Sequence, residues 1–140
     1  MRLHELHTAS VRTLCASHYS ADIIGGWLQN RSAEGYLAPI NRGAIFVAET
    51  GNRIVGFGEA AAGVVVAVYV DPAVPRQGVG SALLRHALEQ ARLEHSGPVR
   101  VESTLNAIGF YERHGFREIA RATTKRGPVE VPIVRMETPH

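Results

Sequence analysis

The chain has 140 residues, of which 45% are apolar; this length supports one hydrophobic core, so we expect one domain over residues 1–140. Its 15 basic and 13 acidic residues give a net charge of +2 without a cluster, which argues against nucleic-acid and membrane partners. No apolar run approaches the roughly 18 residues of a membrane helix, and one cysteine excludes an internal disulfide, so we expect a cytoplasmic protein.

The N-terminal third predicts short helical segments. Helical spacing over residues 8–19 is set by Val11, Leu14, Cys15 and His18. Ser20 is a candidate N-cap for a second helix. Its apolar face comprises Ile23, Ile24, Trp27 and Leu28. Ser32 and Glu34 repeat this start signal and indicate a third turn or helix up to residue 40.

A hairpin and a central strand follow. Residues 44–49 and 54–59 flank a turn that contains Gly51, which is typical of a β-hairpin. The β-branched run from residue 64 to 70 lies between Gly63 and Asp71. Such a run predicts a strand that is buried on both faces, in the centre of the sheet.

Two glycines lie where this strand passes into the next helix. In the loop of residues 76–81, Gly78 and Gly80 leave unpaired backbone N–H groups uncovered, and such a position favours an anion, most naturally a phosphate. A P-loop would need a lysine in place of Ser81, followed by Ser or Thr in place of Ala82, and a Rossmann fingerprint would need a third glycine in place of Leu83. The apolar stripe of the helix comprises Leu83, Leu84, Ala87, Leu88 and Ala91.

The C-terminal third predicts further strands around a short helix. Residues 99–102 form a strand that would run parallel to the central one, because a helix connects the two. Residues 106–114 indicate a short helix. Residues 116–123 and 129–136 predict a closing pair of strands around a turn at Gly127.

Two of these stretches resemble motifs of the GNAT superfamily of N-acetyltransferases. Residues 64–94 are similar to motif A, with Gly78 and Gly80 in the expected places and Pro75 where the family has Gln or Arg. Residues 106–116 resemble motif B. The resemblance implies an α/β (α+β) fold with a mixed, mostly antiparallel sheet of about six or seven strands, split at the central strand, and about four helices. The family's first strand would be short or absent here.

The resemblance also implies an activity. Such a protein would transfer an acetyl group from acetyl-CoA to a primary amine, on a small molecule or a protein, by direct attack in a ternary complex. No metal is expected, since the seven histidines are scattered without zinc-ligand spacing. The alternative is a non-catalytic acyl-CoA-binding or sensor module. A homodimer is common among similar proteins.

The family pattern assigns candidate site residues. Cofactor contacts are expected at Val68, Tyr69, Val70, Arg76, Gln77, Gly78, Val79, Gly80, Ser81 and Asn106. Asn106 is equally suited to capping the motif B helix. Tyr111 is the candidate acid for the leaving thiolate, or else a packing residue. Glu59 and Glu102 are candidate bases, or else exposed carboxylates at strand ends.

The N-terminal helices would form the wall of the acceptor site. Its candidates are His18, Tyr19, Trp27 and Tyr36. Trp27 and Tyr36 at helical spacing are also typical of core residues. Cys15 lies on the apolar face of the first predicted helix, so we interpret it as a core residue and not as a nucleophile.

Overall fold

The computed structural model describes residues 2–29, 33–74 and 78–139. The helices are α1 (Arg2–Leu14), α2 (Ala21–Leu28), α3 (Leu37–Asn41), α4 (Val79–Arg92) and α5 (Ile108–Arg113). The strands are β1 (Ile45–Thr50), β2 (Arg53–Ala61), β3 (Val64–Val70), β4 (Arg100–Ser103), β5 (Arg117–Arg126) and β6 (Val129–Glu137). Short 3-10 turns at Ala33–Tyr36 and Leu105–Ala107 precede α3 and α5.

The strands form one six-stranded sheet in the order β1-β2-β3-β4-β6-β5. All neighbours are antiparallel except β3 and β4, which run parallel through the connection made by α4. These two strands pair only at Val64 with Arg100 and at Val65 with Val101. Beyond Val65 they separate, and we call this gap the split. The expected mixed, mostly antiparallel sheet, divided at the central strand, is confirmed.

The prediction that the central strand is buried on both faces was wrong for most of its length. Val65 is buried, but Val66 is 48% exposed and the remaining residues are half-buried. The reason is the split, since β4 no longer covers β3 beyond Val65. A bulge adds to this exposure, because Glu59 opposes Ala67 and Ala60 opposes Val65, which leaves Val66 without a partner on β2.

The first helix lies earlier in the chain than the predicted range of residues 8–19. α1 spans Arg2–Leu14, so all the described residues before Thr8 are helical and none forms a strand. Its buried face comprises Leu3, Leu6, His7, Ser10 and Val11. Because two of these five residues are polar, the apolar pattern does not reveal the first turns of this helix. Cys15–Tyr19 form turns instead of a helical continuation.

The other predicted helices are confirmed. The Ser20 hydroxyl accepts a hydrogen bond from the N–H of Ile23 at 3.2 Å, so it caps α2 as expected. In α4 the predicted stripe is buried against the sheet. A side chain on Gly56 of β2 would lie 2.9 Å from the Leu83 side chain, so the glycine allows close packing of α4. Ser32, the predicted start of the third segment, lies outside the described residues.

The two faces of the sheet carry different cores. The α4 and α5 face is packed by Ala60, Val65, Leu84, Ala87, Leu88, Ala91, Val99, Val101, Tyr111, Phe116, Val134 and Met136. The opposite face packs against the N-terminal helices through Val11, Cys15, Tyr19, Ile24, Trp27, Val131 and Ile133, with a further group of Leu3, Leu6, Tyr36 and Phe57. The sheet is therefore well packed on both of the faces between which the split passes.

Asp71 ties α1 to the end of β3. Its Oδ2 accepts from Arg2 Nη2 at 2.7 Å, and its Oδ1 accepts from the N–H of Ala73 at 2.9 Å. Arg2 Nε also donates to the carbonyl of Ile54. The hydrogen bond from Ala73, followed by that from Arg2, holds the pKa of the nearly buried Asp71 carboxyl below its usual 3.8. This contact positions the start of the loop that leads into α4.

We expect Asp71→Asn to lower the free energy of unfolding by about 1–3 kcal/mol, because it removes a charge-assisted hydrogen bond from a nearly buried site. Since the folded pKa is depressed, the contribution is present above the unfolded pKa and is lost as pH falls through the folded value. The difference between wild type and variant in urea denaturation should therefore shrink in acid. The exposed pair of Arg121 and Glu118 provides a control, where Glu118→Gln should cost about 1 kcal/mol or less.

Candidate active site

The glycine loop opens α4 with free backbone donors. Gly78 is the N-cap, with φ of 80°, and no side chain among the described residues caps the helix. This left-handed conformation explains the glycine, since other residues adopt it at a cost. Gly80 is the second residue of α4, where an added Cβ would be 3.4 Å from the Phe110 ring. Of the predicted contacts, Arg76 and Gln77 lie outside the described residues.

The exposed edge of β3 lies beside this loop. Val68, Tyr69 and Val70 pair with β2 on one side, and on the other they border the split, since the described pairing of β3 with β4 ends at Val65. A Cβ on Gly80 would lie 3.6 Å from the Val70 side chain, so the end of β3, the start of α4 and Phe110 of α5 meet at one place. A strand edge that borders a gap in a sheet, next to a helix N-terminus, is a suitable place for an extended amide chain and a phosphate.

His114 and Ser81 link the two helices at this place. The Ser81 hydroxyl is 3.0 Å from His114 Nε2, which joins the first turn of α4 to the end of α5. Burial, followed by the charges of Arg85 and Arg113, lowers the pKa of His114, so its ring is kept neutral. Ser81 thus has a structural contact in addition to its predicted one.

Tyr111 is buried in the core on the α4 side of the sheet. Its ring makes edge contacts with Phe110 and Phe116, at centroid distances of 5.2 and 5.4 Å. Burial raises the pKa of its hydroxyl far above the usual value, and the nearby phenol of Tyr69 adds to this. The hydroxyl therefore keeps its proton throughout the working pH range. These contacts are those of a packing residue, and the role of proton donor stays a prediction.

An open cleft of about 390 Å³ lies on the opposite face, against β2 and β3. It is lined by His7, Gly35, Tyr36, Pro39, Phe57, Glu59, Val66, Ala67, Tyr69 and Arg126. Val66, Ala67 and Tyr69 belong to the part of β3 that borders the split. The cleft and the edge of β3 that borders the split are thus adjacent.

Glu59 is the carboxylate of this cleft. Burial raises the pKa of Glu59, while Arg42, 4.0 Å away, acts against this shift. A carboxylate with a raised pKa next to aromatic side chains is suited to accept a proton from an ammonium group.

Glu102, the other candidate base, lies elsewhere. Its side chain is 45% exposed on β4 and is 3.9 Å from Arg135, its cross-strand neighbour on β6. It does not line the cleft. The structure therefore separates two carboxylates that both lie near the ends of strands in the sequence.

Only one of the four predicted wall residues lines the cleft. Tyr36 does so, and its hydroxyl is 2.9 Å from His7 Nδ1. Tyr19 and Trp27 are core residues in edge contact with each other, and His18 is exposed beside Ser17. His7 was not predicted. A helix that starts at Arg2 would have placed it on the buried face with Leu3 and Leu6.

Asn106 does not cap α5. It lies in the preceding 3-10 turn, and the N-cap position is taken by Ala107. Its side-chain oxygen accepts a hydrogen bond from Cys15 Sγ at 3.3 Å. Burial raises the pKa of the Cys15 thiol to about 11, so this cysteine is a core residue, as predicted.

Residues 41–118, more than half of the chain, match the family model of the acetyltransferase (GNAT) domain. The chain belongs to the GNAT acetyltransferase family. It is therefore an acetyltransferase, as the resemblance implied, and the non-catalytic alternative is set aside. Enzymes of this family use acetyl-CoA as the donor and acetylate amines. Among the described residues, no cluster of metal-ligating side chains is present and no helix is long and apolar enough to cross a membrane.

Known N-acetyltransferases are similar to this chain in sequence and in fold. The chain is 26% identical to the uncharacterized N-acetyltransferase YafP of Escherichia coli (strain K12) over 79% of the chain and 69% of that protein. A GCN5-related N-acetyltransferase from Rhodopseudomonas palustris superposes with a TM-score of 0.88 at 21% identity, over 98% of this chain and 87% of that one. The PaiA N-acetyltransferase from Thermoplasma acidophilum, solved in complex with coenzyme A, superposes with a TM-score of 0.73 at 22% identity. The match covers 99% of this chain and 91% of that one.

Proposed function

We propose that residues 1–140 act as one domain that transfers an acetyl group from acetyl-CoA to a primary amine by direct attack in a ternary complex. The observation that supports this most is the split, because it brings an uncapped helix N-terminus and the edge of β3 next to a cleft that contains a carboxylate. A cytoplasmic location and a homodimer stay predictions.

The residues around the split fit the donor. The N–H groups from Gly78 to Ser81 would hold the pyrophosphate, since they open α4 without a side-chain cap. The edge of β3 that borders the split, at Val68, Tyr69 and Val70, would pair with the amides of the pantetheine arm. Asn106, on the 3-10 turn before α5, is a further proposed contact for this arm. When bound, acetyl-CoA supplies the thioester whose acetyl group moves to the acceptor.

Glu59 is the proposed base. Amines are protonated at neutral pH, so the acceptor has to lose one proton before its nitrogen forms the C–N bond. The Glu59 carboxylate takes this proton, directly or through a water molecule. Glu102 is the weaker candidate, because its carboxylate is exposed and lies next to Arg135.

Tyr111 is the proposed proton donor for the sulfur when the C–S bond breaks. Its raised pKa makes it a weaker acid than an ordinary thiol, whose pKa is about 8.5. Desolvation of the leaving thiolate raises its pKa as well, which makes proton transfer from Tyr111 less unfavourable. Before that point, the hydroxyl stabilises the developing negative charge by hydrogen bonding.

We expect Gly80→Trp to raise the Kd for coenzyme A about 100-fold or more, since the indole would fill the space between α4, Phe110 and Val70 that the donor has to occupy. Calorimetry measures the loss, and circular dichroism checks that the variant stays folded. Gln90→Trp adds the same bulk at an exposed position of α4 and serves as the control. Unchanged affinity in a folded Gly80→Trp would argue against this donor site.

Glu59→Gln should lower kcat/KM by about 10- to 1000-fold at neutral pH and flatten the acidic limb of its pH profile. In the wild type, this limb should lie above the usual Glu value of 4.5, because burial raises the pKa. Glu102→Gln should change the rate by no more than about twofold. Loss of the acidic limb in Glu102→Gln alone would reverse the assignment of the base.

Tyr111→Phe should lower kcat by about 10- to 1000-fold with little change in the Kd for acetyl-CoA. The phenyl ring keeps the packing against Phe110 and Phe116, so thermal unfolding should be close to that of the wild type. The alkaline limb, in which the phenol ionises, should lie above pH 10.0 in the wild type and be absent from the variant. Full activity would leave Tyr111 as a packing residue, with solvent as the acid.

A further inference from the structure

Two charged side chains line the cleft, and they come from distant parts of the chain. Glu59 lies on β2, and Arg126 is the last residue of β5. The two are not paired with each other: the described ion pair of Glu59 is with Arg42, and no described carboxylate lies within ion-pair distance of Arg126. The cleft therefore presents a guanidinium without a described carboxylate partner and a carboxylate whose ion pair with Arg42 is 4.0 Å long.

Arg126 reaches the cleft because the β5–β6 hairpin extends past the end of β4. The last residue of β4, Ser103, pairs with Val134, so residues 129–133 of β6 continue without a β4 partner. At about 3.4 Å per residue this overhang is about 17 Å long. It places the tip of the hairpin over the gap that the split leaves in the sheet.

The hairpin tip is held against α2. Gly127 has φ of 56°, and a Cβ there would lie 2.8 Å from the carbonyl oxygen of Gly26. Val131 and Ile133, on the same overhang, are buried against Ile24 and Trp27. Arg126 is therefore attached to a packed segment and not to a free loop.

The guanidinium of Arg126 is half-buried and only partly satisfied by the protein. Its Nη1 donates to Thr124 Oγ1 at 3.0 Å and to the carbonyl of Lys125 at 3.2 Å. Nη2 and Nε have no hydrogen-bond acceptor among the described residues. A guanidinium with two free N–H donors along one edge can bind both oxygens of a carboxylate.

We propose that Arg126 binds the carboxylate of the acceptor, so that the acceptor is a small amino acid whose amine lies at Glu59. This assignment rests on the proposed function and specifies its substrate class. The cleft volume of about 390 Å³ is suited to a small molecule. The rings of Tyr36, Phe57 and Tyr69, which also line it, would cover the carbon skeleton and favour the ammonium group near their faces.

The test compares amino acids with their own carboxamides at saturating acetyl-CoA, with release of free thiol as the readout. The wild type should favour the carboxylate over the carboxamide by about 10- to 100-fold in kcat/KM, the range for one charge-assisted hydrogen-bonded contact. Arg126→Gln should bring this ratio to about 1, mainly through KM, and Arg126→Lys should restore part of it. The Kd for coenzyme A should stay unchanged.

Lys125→Gln is the matched control, since it removes the same charge from the neighbouring, exposed position of β5. It should keep the preference. The assignment is overturned if the wild type uses both members of each pair equally, if Arg126→Gln keeps the ratio, or if Lys125→Gln loses it as well. If the protein acetylates peptides, or amines without an acidic group, but not amino acids, the assignment of the acceptor is overturned while the proposed acetyltransferase activity stands. Failure to bind coenzyme A removes both proposals.

Discussion

The short pairing between β3 and β4 is the constraint on which the rest of the structure depends. The two strands share only Val64 with Arg100 and Val65 with Val101, after which they separate. Each polar backbone group that loses a strand partner has to find another acceptor or donor. Along β3 this leaves an edge from Val66 to Val70 that can receive an extended ligand. The bulge at Val66 lies at the same point.

A sheet with such a gap needs support from both sides. On one face, α4 and α5 pack their apolar residues over Val65 and Val101, so the paired end of the two strands is held firmly. On the other face, α1, α2 and the overhanging hairpin close around the gap. The ion pair of Arg2 with Asp71 connects this N-terminal layer to the end of β3. Rigid walls around an open centre are what a site for two substrates requires.

The two halves of the proposed site would use different chemistry. The donor half would rely on backbone groups, namely the N-terminus of α4 and the edge of β3 that borders the split. Such a site depends on glycine and on the gap between the strands more than on any one side chain. The proposed acceptor half would rely on side chains, since Glu59, Arg126 and aromatic rings line an open cleft. Backbone recognition is shared across a family, whereas side chains in a cleft decide which amine enters.

Local patterns determined the parts of this protein that lie close together in sequence. The β-branched run of β3 predicts a strand, the glycines at 78 and 80 predict a loop, and the apolar stripe of α4 predicts a helix. Together these segments also indicate the family. The exposure of Val66, the buried positions of His7 and Tyr111, and the separation of Glu59 from Glu102 followed only from the tertiary structure. Arg126 enters the cleft because of a hairpin overhang that strand pairing creates. Contacts between residues distant in sequence depend on register and packing, which periodicity along one segment does not encode.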